Sequence, residues 1–191
     1  MQTFNILRRI SPANQDKIVA HLEQHIDPVL QRDVSNYAPG RRRAWLQYEP
    51  TLVRDYTINP AHRDERIWNY FTQILPGRID CGLISRGPVG ISMHRDASYA
   101  AYKAYGVNLG ETVTFGYREC YSDFRWSKNA NNNAPLTSIT LEPGDVYEFC
   151  CKNPHGILSD ISENRWSINF WSFKTQAGRP APQIEGQQQI C

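Results

Sequence analysis

Long apolar runs are missing from this chain of 191 residues. Nothing in it approaches the ~18–20 consecutive apolar residues that cross a bilayer, so no membrane span is expected. The opening segment, MQTFNILRRISPANQ, has neither the apolar core nor the small-residue cleavage site of a secretory signal. A dominant sign of charge is also missing. The formal net charge is +2, well short of the basic excess of a dedicated nucleic-acid binder, although a local patch can sit inside a near-neutral total. Cysteine is present five times, at positions 81, 120, 150, 151 and 191, an odd number with no C-x-x-C spacing. That argues against a disulfide framework and a structural zinc site, and places the chain in a reducing cytoplasm. What is left is an ordinary globular composition, 40% hydrophobic and 21% charged, in a chain long enough for one domain with a sizeable core.

No internal repeat is evident. Two helices are expected in the first half. One begins at SPANQDKIVAHLEQH, with Ser11 as N-cap, Pro12 at the first helical position, and Ile18, Val19 and Leu22 at helical spacing. The other lies in NPAHRDERIWNYFTQILPG, capped by Asn59, opened by Pro60 and ended by Pro76-Gly77, with Ile67, Phe71 and Ile74 as its buried stripe. Strand signals fill the second half, at 78–84, 90–95, 106–110, 112–118, 138–141, 145–150 and 166–173, punctuated by Gly87-Pro88, Gly110 and Pro143-Gly144. Helices followed by a block of short strands predict an α+β, mainly β protein, with the helices on one side of an antiparallel sheet or barrel. A single domain over 1–175 is expected, helical to residue 77, with a polar tail at 176–191. The one basic run, Arg41-Arg42-Arg43, reads either as a solvated loop or as a phosphate-contacting patch.

The triplet His-Arg-Asp occurs twice. The copy at His62-Arg63-Asp64 is followed by Asn69, which reproduces the spacing of a protein-kinase catalytic loop. The chain has no G-x-G-x-x-G, V-A-I-K or D-F-G to accompany it. Placed in the first turn of a helix, His62 and Asp64 would also point about 200° apart. The copy at His94-Arg95-Asp96 falls at the end of a predicted strand, where residues two apart share a face and can converge on one metal ion. His155, just beyond the strand DVYEFC, supplies a third ligand. Two histidines and one carboxylate form the facial triad that leaves open positions on a non-haem Fe(II). Taken alone, His155 also reads as a locally bonded loop histidine. Ten residues further on, Arg165, Ser167, Asn169 and Trp171 share one strand face, while Trp166, Ile168 and Phe170 share the other. A buried guanidinium needs an anion, and a guanidinium with a nearby hydroxyl suits a carboxylate-bearing ligand. A distant acidic side chain would serve as well.

The ordered set His94-x-Asp96, His155 and Arg165-x-Ser167 resembles the Fe(II)/2-oxoglutarate-dependent dioxygenases. The segments GLISRGPVGISMHRD and ITLEPGDVYEFCCKNPHGI are similar to the AlkB-like branch, and the resemblance covers residues 79–173. It implies a double-stranded β-helix, or jelly roll, with the N-terminal helices buttressing one sheet. It implies Fe(II) on His94, Asp96 and His155, and 2-oxoglutarate with its far carboxylate on Arg165 and Ser167. It also implies O₂ as oxidant, with succinate and CO₂ released as a substrate C–H is hydroxylated. Tyr99, Tyr102 and Trp171 are candidate substrate contacts; the stretch ASYAAYKAYG that carries the tyrosines, Tyr105 among them, reads equally as a short amphipathic helix. The AlkB-type dealkylases carry a Tyr nine residues before the first His ligand and a second Arg six after the 2-oxoglutarate Arg. Ser85 and Trp171 stand at those positions, and the gap from His155 to Arg165 is shorter. An amino-acid, peptide or other small-molecule substrate is therefore favoured over alkylated nucleic acid. A cupin-like metal-binding protein without turnover would explain the ligand set but not Arg165 and Ser167.

Overall fold

The computed structural model describes residues 2–46, 61–126 and 130–174. Strand β1 (Phe4–Arg9) leads into helix α1 (Pro12–His21), which winds on through a wide turn to Ile26 and a tight one to Val29. Ser11 occupies the N-cap and Pro12 the first turn, as expected. Two short strands follow, β2 (Gln31–Arg32) and β3 (Arg42–Leu46), then helix α2 (Glu65–Ile74). The rest is sheet: β4 (Cys81–Arg86), β5 (Ala100–Leu109), β6 (Val113–Arg118), β7 (Leu136–Leu141), β8 (Asp145–Cys150), β9 (His155–Ile157) and β10 (Trp166–Phe173).

A seven-stranded antiparallel sheet has the order β1-β8-β5-β10-β4-β3-β2, and a three-stranded sheet, β7-β6-β9, faces it. Two cores result. The outer face of the large sheet packs Ile84, Val107, Trp166, Ile168 and Phe170 against Ile18, Leu22, Ile26, Ile67 and Phe71 of the helical segment. Between the sheets lie Phe4, Leu83, Phe115, Leu141, Phe149 and Trp171. This is the jelly roll with helices on one sheet that the sequence implied.

Strand β10 sits between β4 and β5, so both of its edges are paired. Trp166, Ile168 and Phe170 are fully buried toward the helices. The alternate residues therefore point between the sheets. Cross-strand register puts Arg43, Ser85, Ser167 and Asn108 in one row of this inner face, and Trp45, Leu83, Asn169, Gly106 and Tyr147 in the next. A Cβ on Gly106 would stand 2.2 Å from Cζ of Tyr147, so the bare glycine is what lets that ring lie flat across β5.

Several expectations are corrected. Residues 90–95 form no regular strand. They make an extended edge beside β9, tied by reciprocal backbone bonds between His94 and His155 and by the Ile157 N–H donating to the Ile91 carbonyl. Helix α2 begins at Glu65, because Asp64 is the N-cap and accepts from the Ile67 N–H. His62 is thus not helical: its N–H donates to the Trp45 carbonyl and it pairs with Leu46. The expected cap Asn59 and Pro60 lie outside the described residues, as do the tail at 176–191 and Cys191. The ASYAAYKAYG stretch runs into strand β5, not a helix. Strands β1, β2, β3 and β9 had no counterpart among the expected elements. The four described cysteines are free and buried. Among the described residues no helix is long and apolar enough to cross a membrane.

Candidate metal centre

His94 and Asp96 are carried on the segment that leaves the 91–94 edge. His155 opens β9 on the opposing strand, directly bridged to His94. One ligand atom from each of the three lies within 4.8 Å of the others. Oδ1 of Asp96 stands 3.5 Å from Nε2 of His94 and 3.7 Å from Nε2 of His155. Both imidazoles are held from behind: Nδ1 of His94 lies 2.8 Å from the Ser92 carbonyl, and Nδ1 of His155 lies 2.9 Å from the Asn153 carbonyl. A carbonyl only accepts, so each Nδ1 carries the proton and each Nε2 offers its lone pair to the shared centre.

Asp96 is fixed in turn. The Trp171 indole Nε1–H donates to its Oδ2 at 2.7 Å, leaving Oδ1 on the side of the two imidazoles. Burial alone would raise the Asp96 carboxyl, but His155, His94 and the indole outweigh it, and the net shift is downward. Burial lowers the pKa of His155 against the opposing pull of Asp96, which keeps its imidazole neutral. Metal ligation needs an anionic carboxylate and a neutral imidazole, the directions in which burial and neighbours move Asp96 and His155.

The same cavity is lined by Arg165, Ser167, Asn169 and Trp171, the four residues expected to share the inner face of β10. Arg165 is 7% exposed. Its Nε–H donates to Oδ1 of Asn108 at 2.9 Å, and Asn108 is oriented by donating to the carbonyls of Glu111 and Leu141. No carboxylate among the described residues makes an ion pair with Arg165. Burial lowers its pKa, although a guanidinium stays charged.

Some site residues were not anticipated. Tyr147 lines the cavity near Arg165, and burial pushes its phenol up to about 12. Tyr37 stacks on His94 with ring centroids 5.2 Å apart. Arg41 lines the cavity as well. The arginine run proves neither a loop nor a free patch. Arg41 and Arg43 pair with Asp33, and Arg42 pairs with Asp27 and Glu163.

Of the candidate substrate residues, only Trp171 lines the cavity. Tyr99 packs edge-on to Phe173, and Tyr102 packs against Tyr121 under the ammonium of Lys174. Tyr105 turns to the helix side.

No protein-family model and no curated protein matches the chain. Among solved structures it is similar to OsALKBH1, at 15% identity and TM-score 0.61, covering 90% of this chain and 99% of that one. It is similar to a prolyl hydroxylase from Trichoplax adhaerens in complex with a hypoxia inducible factor peptide, at 13% identity and TM-score 0.60, covering 91% and 84%. A prolyl-4-hydroxylase from Pseudomonas putida matches at 13% identity and TM-score 0.54, covering 91% and 94%. At these identities the likeness establishes the shared fold.

Proposed function

We propose that the chain is a non-haem Fe(II)- and 2-oxoglutarate-dependent oxygenase that hydroxylates a C–H bond of a small-molecule, amino-acid or peptide substrate. The observation that carries the reading is Arg165: a buried guanidinium that makes no ion pair among the described residues, with Glu111 acting on it only at a distance, in the same cavity as a His/Asp/His cluster. A metal-binding protein without turnover would account for the cluster alone. A buried, unneutralised cation is costly unless an anion completes it.

The residues fit both groups. Nε2 of His94, Nε2 of His155 and Oδ1 of Asp96 would hold Fe(II) on one face, with the remaining positions left for the co-substrate and O₂. Arg165 and Ser167 would hold the far carboxylate of 2-oxoglutarate. Asn108 occupies Nε of Arg165, so the two terminal nitrogens of the fork would take the carboxylate. When bound, the iron and 2-oxoglutarate supply the oxidation of the C–H bond, with succinate and CO₂ as by-products. The chain itself orients and shields. Leu83, Ile91, Phe115 and Phe149 wall the cavity with apolar surface and keep bulk water from the reacting atoms. Two of the similar folds belong to prolyl hydroxylases, one described in complex with a peptide fragment, which favours a peptide or amino-acid substrate. Against nucleic acid, the three consecutive arginines best placed to meet phosphates are each engaged by acidic side chains.

The test is anaerobic addition of Fe(II) and 2-oxoglutarate, followed by the visible charge-transfer band of their chelate and, on admitting O₂, by succinate. The wild type is expected to show both, His94→Ala neither, and His62→Ala both. Arg165→Ala is expected to weaken 2-oxoglutarate binding by about 1.5–3 kcal/mol, the range for a hydrogen bond to a charged group. A band that survives His94→Ala sinks the assignment. Salt-dependent binding of single-stranded oligonucleotides would instead favour an alkylated nucleic acid as substrate.

A further inference from the structure

Arg41 is the charged group of the cavity that the proposed function leaves unused. Its side chain is 11% exposed and lines the same cavity as His94, Asp96 and Arg165. One edge of the fork is occupied: Nε and Nη2 donate to Oδ2 of Asp33 at 2.8 and 2.6 Å. Asp33 is fully buried and serves more than one cation, since its Oδ1 takes Nε of Arg43 at 3.2 Å and the Ser35 N–H at 2.8 Å. Two guanidiniums thus share one carboxylate, and the group keeps a net charge of one. Arg41 lies near enough to Arg165 to be repelled and near enough to Asp96 to be attracted. It therefore stands beside the span between the metal ligands and Arg165. A single anion on Arg165 would leave this second positive charge uncompensated in a largely buried site, which is unfavourable.

We propose that Arg41 is a second carboxylate-binding group of the cavity, positioned by Asp33, so that the site takes two carboxylate groups besides that of Asp96. This rests on the oxygenase reading above. The second carboxylate has two possible sources with the same chemistry: the other end of 2-oxoglutarate, or an acidic group on the substrate.

The experiment uses the full chain loaded with redox-silent Mn(II), with binding read by tryptophan fluorescence, since Trp171 lines the cavity and Trp45 packs on it. Arg41→Met leaves Asp33 with Arg43 and the Ser35 N–H, so the fold has a remaining partner for the acid; thermal denaturation checks this, and Arg41→Lys tests charge without the fork. In the first arm 2-oxoglutarate is titrated. A tenfold or greater loss in Arg41→Met, with Arg43→Met within threefold of wild type, supports the proposal and assigns the carboxylate to the co-substrate. In the second arm the protein saturated with 2-oxoglutarate is titrated with benzoate and with benzamide. A preference for benzoate that Arg41→Met abolishes supports the proposal and assigns the carboxylate to the substrate. Wild-type affinity of Arg41→Met for 2-oxoglutarate, with no Arg41-dependent preference for benzoate, overturns it. If the wild type binds no 2-oxoglutarate at all, the oxygenase reading fails and this proposal falls with it. Binding that Arg165→Ala loses and Arg41→Met keeps in both arms defeats this proposal alone.

Discussion

Replacing Trp171 by Phe isolates one hydrogen bond. The indole Nε1–H donates to Oδ2 of Asp96 at 2.7 Å, a short bond to an ionised acceptor. The phenyl ring keeps the apolar contact with Trp45, whose ring lies 6.0 Å away, and removes only the donor and one ring. A hydrogen bond to a charged group contributes about 1.5–3 kcal/mol. Here it is spent on orientation: with Oδ2 tethered, Oδ1 is held at 3.5 and 3.7 Å from the two histidine nitrogens. Freed, the carboxylate rotates and must be re-ordered when an ion binds. Loss of such an outer partner costs roughly 10- to 100-fold in metal affinity. The two magnitudes agree, since tenfold is about 1.4 kcal/mol. Titration calorimetry with Mn(II) or Co(II) measures it directly. Trp45→Phe, which alters the same aromatic pair without touching Asp96, is expected to stay within threefold of wild type. Equal affinity in Trp171→Phe and wild type would refute the claim that the indole positions Asp96.

Three further outcomes are expected. Gly106→Ala places a Cβ 2.2 Å from the Tyr147 ring and should cost about 1–3 kcal/mol in urea unfolding, as overpacking does, while pushing the ring into the cavity and weakening 2-oxoglutarate binding. Tyr147, raised to about 12 by burial, should be the last tyrosine to ionise in an ultraviolet titration. Because the folded state holds this proton more tightly than the unfolded chain, its contribution is fully present below about pH 10. It is lost as pH rises toward 12, by roughly 2–3 kcal/mol, and a flat stability over that window in wild type relative to Tyr147→Phe would contradict it. Asp64→Ala removes the N-cap of α2 and the partner of His21 Nε2, whose Nδ1 is already buried without a bond. About 2–3 kcal/mol of destabilisation is expected by denaturant titration, against less than about 0.5 kcal/mol for His62→Ala.

The strands that were legible are those whose two faces differ. Over 145–150 and 166–173 the expected bounds match the structure, because one face must be apolar to meet the helices and the other must carry the cavity. The same reasoning failed on β3, where the charges are on the inside. Ala44 and Leu46 face the helical core while Arg43 and Trp45 face inward, so a reader who assigns arginines to water misses a strand whose interior is polar. Edge strand β1 was missed for a different reason: most of it is exposed, and a sparse apolar pattern closed by Arg8 and Arg9 has little period to detect. At three residues, β9 is too short for any period, although it carries His155 of the candidate metal centre. The inner face of β10 was legible because it needs only a local period of two, whereas His94 and Asp96 come together with His155 through an irregular edge that no period predicts.

The two His-Arg-Asp triplets show what sequence letters leave undetermined. At 62–64 the backbone is spent on its neighbours: the His62 N–H goes to the Trp45 carbonyl, and both oxygens of Asp64 are taken, one by the helix N-terminus and one by His21. Each oxygen of that carboxylate is already engaged. At 94–96 the flanking bonds do the opposite. The His94 backbone pairs with His155 and so brings a second imidazole to 4.5 Å ring separation, the Ser92 carbonyl accepts from the imidazole Nδ1–H, and Trp171 donates to only one carboxylate oxygen. Even the central arginines diverge. Arg63 is exposed, whereas Arg95 reaches the Lys152 carbonyl and Asn132 over the face of Tyr121, clamping the segment that carries His94 and Asp96 to the chain just before His155. A metal site thus depends less on the triplet than on how many of its polar atoms the surrounding fold leaves unspent.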